Sequence, residues 1–120
     1  MFIAGQWVDA EEGHVREVFN PATGEVIAVV AEGGPGDVRR AIAEARKAFD
    51  QTSWPDTPPV ERARLMNALA DKLEQRAEEF AELETQNSGK PLRESQADIT
   101  DAVNCFRYYA GLINKPLGQT

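Results

Sequence analysis

One cysteine and one histidine are all the thiol and imidazole in this chain of 120 residues. A lone thiol excludes an internal disulfide, and Cys105 alone cannot hold zinc. Long apolar runs are missing too. The longest, Val26 to Ala31, is far short of the ~20 residues that span a bilayer. The opening MFIAGQWVDA has no charged stretch leading into an apolar one, so no signal peptide is expected, and a reducing cytoplasm is the expected location. Basic clusters are absent as well. The 13 basic side chains alternate with Glu and Asp, and 20 acidic residues bring the formal charge to -7. That balance repels phosphate backbones and anionic lipid, so neither nucleic acid nor a membrane surface is an expected partner.

Hydrophobic residues at 42% and charged residues at 28% rule out wholesale disorder and fit a globular chain. The first third reads as strands and turns. Phe2-Ile3 and Trp7-Val8 flank Ala4-Gly5, the pattern of a tight hairpin. Val18-Phe19 and Val26 to Val30 flank Asn20-Pro21-Ala22-Thr23-Gly24, where Pro21 presets φ and Gly24 can take a positive one. The run VIAVV is β-branched and does not alternate, which suits a strand covered on both faces. Nothing else in this hairpin can cover it.

The remainder predicts three helices. The first starts at Gly34-Pro35, with Pro35 where its missing N–H costs nothing and Asp37 in the first turn. Its apolar stripe is Val38, Ala41, Ile42, Ala45 and Phe49. The second opens at Thr57-Pro58-Pro59, with Thr57 as a hydroxyl cap, and runs to Ser88-Gly89-Lys90-Pro91. Its stripe is Met66, Leu69, Leu73, Phe80 and Leu83. The third starts near Pro91, carries Ile99, Val103, Phe106, Ala110 and Ile113 on one side, weakens at Gly111 and stops at Pro116. Residues 1–33 thus form a β-hairpin region and residues 34–120 a helical one, with a linker over Gln51 to Thr57. No internal repeat is present. Narrow stripes and a bare strand do not close a core, which points to a piece of a larger fold.

Few groups carry chemistry. Gly33-Gly34-Pro35-Gly36 lies between a strand and a helix, where nucleotide loops occur, but the dinucleotide fingerprint needs glycine at Arg39, and Gly-Lys-Ser/Thr is absent. It reads as a turn. Cys105 falls mid-helix, one step from the apolar stripe, and reads as a buried structural cysteine rather than a nucleophile. His14 reads as a surface loop residue. Asp98 and Asp101, three apart on a helix, share a face; they form either a solvated surface or a pair able to hold a cation. Tyr108 and Tyr109 point about 100° apart, one expected toward the core and the other toward the surface.

Several segments, in order, resemble the aldehyde dehydrogenase superfamily: FIAGQWVDA (Phe2 to Ala10), NPATGEVIAVVAEG (Asn20 to Gly33), DVRRAIAEARKAF (Asp37 to Phe49), ERARLMNALADKLEQRAEEFAELET (Glu61 to Thr85), NSGKP (Asn87 to Pro91) and CFRYYAG (Cys105 to Gly111). The resemblance implies an α/β enzyme that passes a hydride from a thiohemiacetal to NAD or NADP. This segment would supply N-terminal antiparallel hairpins and outer helices to the cofactor-binding domain, incomplete without the chain that follows. The reactive cysteine, the general base, the oxyanion asparagine and the cofactor loop would all lie further along. No catalytic or cofactor-binding residue is therefore expected here, and the chain alone is expected to be inactive. The complete enzyme is expected to be a homo-oligomer acting on a small aldehyde.

Finer carry-overs follow from the same resemblance. Many members hold a K⁺ or Na⁺ ion through backbone carbonyls before the Asn-Pro turn and an Asp before Gly-Lys-Pro. Those positions are Val18, Phe19 and Asn87, and Asn87 lacks the formal charge. The spacing from NSGKP to YYAG is most similar to the aminoaldehyde and betaine aldehyde branch, whose acids at the substrate mouth fall on Asp98 and Asp101. Ala97 stands where a bulky aromatic is common. The alternative from another class is a free-standing helical interaction module, without catalysis, that docks a partner on Leu69, Leu73 and Phe80.

Overall fold

In the computed structural model residues 1–113, 115 and 118 are described. They form four strands and four helices in two compact units, Met1–Asp56 and Thr57–Thr120. The division falls inside the segment expected to be a linker. Pro116, expected to stop the last helix, lies outside the described residues.

In the first unit, β1 (Phe2–Ile3) and β2 (Gln6–Trp7) pair antiparallel. The turn residues Ala4 and Gly5 both take positive φ, 54° and 78°. Two positive values make the turn whose twist matches a hairpin. Val8 N–H donates to the Met1 carbonyl at 2.8 Å, and the Met1 ammonium donates back to the Val8 carbonyl at 2.7 Å. The second hairpin joins β3 (Val15–Phe19) to β4 (Val26–Ala31), with Val15 opposite Ala31 and Phe19 opposite Val26. Its turn closes as expected. Asn20 Oδ1 accepts from Ala22 N–H at 2.9 Å, Gly24 N–H donates to the Asn20 carbonyl at 2.8 Å, and Gly24 has φ 73°.

β4 has no cover. Val26, Ile27, Val29 and Val30 are all exposed, Val29 at 59%. Helix α1 (Pro35–Asp50) packs on β1, and its large apolar side chains fare no better. Ala41 is half-buried, while Val38, Ile42 and Phe49 are exposed. The stripe exists, but it faces outward.

The second unit holds α2 (Pro59–Gln75), α3 (Ala77–Ser88) and α4 (Leu92–Leu112). The long helix expected from Thr57 to Ser88 is therefore two. It breaks at Arg76, where φ is -115° and ψ 22°, with neither Gly nor Pro to announce it. Helix rise supplies the reason. Unbroken, α2 and α3 would make a rod of about 45 Å, against about 32 Å for α4. Both packed faces meet α4, and only a bend at mid-length keeps both halves on it. Gly89 ends α3 in the left-handed region at φ 77°. The cap of α2 also differs from expectation: Pro58, not Thr57, is the N-cap residue, without a side-chain cap bond.

What lies between these helices is small. Ala70 and Ala81 are fully buried, and Val103 and Ala110 nearly so. Ile99, Phe106 and Ile113 are half-buried, so the α4 stripe is oriented as expected. In α2 and α3 it is not. Met66 and Leu73 turn partly inward, but Leu69, Phe80 and Leu83 are exposed.

Candidate functional site

Two places carried functional expectations, the cation residues Val18, Phe19 and Asn87 and the α3–α4 corner with the first half of α4, while the glycine-rich segment before α1 reads as a turn. At the turn, the α1 N-terminus is already occupied. Asp37 is 4% exposed. Its Oδ2 accepts from Gly34 N–H at 3.0 Å, and its two oxygens accept from Glu11 N–H at 3.2 and 3.3 Å. A side chain at Gly36 would run into the Glu11 carboxylate. Two carboxylates thus fill the position a phosphate would need. With those contacts the loop does not fit a nucleotide phosphate.

The α3–α4 corner is held by two contacts. Ser95 is fully buried, and its hydroxyl and that of Thr85 are 2.9 Å apart in a hydrogen bond. Nearer the surface, Lys90 Nζ donates to Asp98 Oδ2 and lies 3.9 Å from Glu84 Oε1. Its pKa is raised, first by the hydrogen bond to Asp98 and then by the charges of Asp98, Glu84 and Glu94. Sequence reasoning quoted Lys90 within NSGKP but gave it no role. A partner eight positions away across a turn matches neither helical spacing. Ala97, Asp98 and Asp101 all lie exposed on α4. Asp98 is engaged by Lys90, and Asp101 has no ion-pair partner among the described residues.

The expected cation residues belong to different units. Val18 and Phe19 are consecutive on β3 in the first unit, flanking a bulge in the ladder to β4. Asn87 lies exposed in α3 of the second unit. Among the described residues no group of three His, Cys, Asp or Glu side chains could hold a metal ion. His14 is exposed, as expected.

Two expectations on α4 are corrected. Cys105 is exposed, not buried. At about 100° per residue it lies roughly 200° from Val103, on the far side of the helix from its packed stripe. Tyr108 and Tyr109 are both exposed, ring centroids 5.3 Å apart and edge to face. The inward side at that level belongs to Ala110. Both errors came from crediting α4 with a wider covered face than this structure provides.

Further along, Arg107 ties α4 to α2. Its Nη2 donates to Asp71 Oδ1 at 2.9 Å and to Glu74 Oε2 at 2.6 Å, and Nη1 donates to Glu74 Oε1 at 3.1 Å. The Glu74 carboxyl is held below its usual range, first by that hydrogen bond and then by the Arg107 charge. A depressed carboxyl contributes stability above its unfolded pKa, about 4.3 for glutamate, and loses it as pH falls through the folded value. Arg107→Met is therefore expected to melt below the native chain at neutral pH. The gap should close as pH drops below the ordinary glutamate range. Thermal melts of both forms across that range check this; a gap independent of pH would assign the loss to packing.

A family model described as the aldehyde dehydrogenase family matches residues 7–120. The chain belongs to that family. It is 44% identical over 119 residues to a betaine aldehyde dehydrogenase of Bacillus subtilis (strain 168), covering 99% of this chain and 24% of that protein. It is 46% identical over 121 residues to a mitochondrial benzaldehyde dehydrogenase of Antirrhinum majus, covering 100% of this chain and 23% of that one. Among solved structures it superposes on betaine aldehyde dehydrogenase from Staphylococcus aureus in complex with NAD⁺. The TM-score is 0.94 at 41% identity, covering 98% of this chain and 24% of that one. The chain thus spans about a quarter of the length of these relatives. Among the described residues, no helix is long and apolar enough to cross a membrane.

Proposed function

We propose that this chain is the N-terminal part of an NAD(P)-dependent aldehyde dehydrogenase that oxidises a small aldehyde, of the amino or betaine type, to a carboxylic acid. The observation that carries the reading is the family match over residues 7–120 together with a quarter-length span. The apolar surface agrees with it. Val26, Val29 and Val30 on β4, Ile42 and Phe49 on α1, and Leu69 and Leu83 on α2 and α3 are exposed, as the residues of a docking surface would be before its cover is added. NAD is the cofactor bound in the Staphylococcus aureus relative, and in this family it takes up the hydride. Among the described residues, the glycine-rich turn before α1 offers it no phosphate cradle. Their part is to frame the domain and, through Ala97, Asp98 and Asp101, to face the incoming substrate. Acids there would draw an aldehyde with a cationic end and fix its orientation.

The direct test is to incubate the purified 120-residue chain with NAD⁺ and a small aminoaldehyde. No NADH fluorescence should develop; turnover by this chain alone would overturn the reading. The groove lined by Leu69, Leu73, Arg76 and Phe80 favours a second reading, a helical interaction module without catalysis. Exposed apolar side chains on β4 and α1 as well weigh against it, since a docking module needs only one such face. A cooperative two-state melt of a monomer would support the module. Dye binding and self-association would support the enzyme segment.

A further inference from the structure

We draw no further inference here: the strongest candidate, the apolar groove at the bend between α2 and α3 lined by Leu69, Leu73 and Phe80, carries nothing, because nothing in the structure shows what covers it.

Discussion

Asp37→Ala is expected to destabilise the chain by about 2–3 kcal/mol, out of proportion to a residue near a loop. Asp37 stands third in α1, where an acid is normally worth a few tenths to 1 kcal/mol against the helix dipole. Here it does more. Its carboxylate is buried and serves two backbone donors, Gly34 N–H of its own helix and Glu11 N–H from 26 residues earlier. Alanine would leave both amides in a partly closed site without an acceptor, each costing about 1–3 kcal/mol where water cannot enter. The Glu11 carboxylate against Gly36 cannot substitute for it, since that group is held by the loop Asp37 anchors. Asp37→Asn retains one acceptor oxygen and should lose roughly half as much. Hydrogen exchange separates this from general loosening: the Glu11 and Gly34 amides should lose protection before those of β3 and β4. If Asp37→Ala melts with the native chain and both amides stay protected, the anchor has no energetic role.

That anchor marks the line between what was legible in the residues and what was not. Signals confined to a few neighbouring positions read correctly. Asn20, Pro21 and Gly24 specified a turn, Pro35 opened a helix, Gly89 closed one, and Ile99, Val103 and Ala110 oriented α4. In each case the decisive physics is local: a fixed or positive φ, a missing N–H, a 3.6-residue repeat. Contacts that depend on where two elements meet did not read. Nothing near Asp37 names Glu11, nothing near Lys90 names Asp98, and no glycine or proline announces the break at Arg76. Cys105 was misplaced because its surroundings in the helix look apolar, while its direction depends on which side of α4 meets α2 and α3. The candidate site suffered most. The spacing put Asp98 and Asp101 on one face, and only the fold showed that one of the two is already paired.

The same blindness to direction affected α2 and α3, and it yields the second large effect. Reading large apolar residues as the inward stripe favoured Leu69, Phe80 and Leu83, yet the fully buried positions are Ala70 and Ala81. Helices that approach closely need small side chains at the crossing, and Ala81 is fully buried on α3, which packs mainly on α4. One turn on, Thr85 meets Ser95 at 2.9 Å, a separation that leaves no slack. Ala81→Leu should therefore act twice. Overpacking a tight contact costs about 1–3 kcal/mol. Pushing α3 outward also parts Thr85 from the fully buried Ser95 hydroxyl, leaving a polar group unsatisfied for about 1–3 kcal/mol more. A combined loss near 3–4 kcal/mol would take a large share of the stability of so small a chain. Leu83→Ala removes a much larger apolar group two positions away, but from a side chain 52% exposed. In this chain it should change stability by less than about 0.5 kcal/mol. Denaturant midpoints of the two variants decide the orientation of α3. If the leucine deletion proves the costlier, the large residues face α4 after all, and the alanines do not.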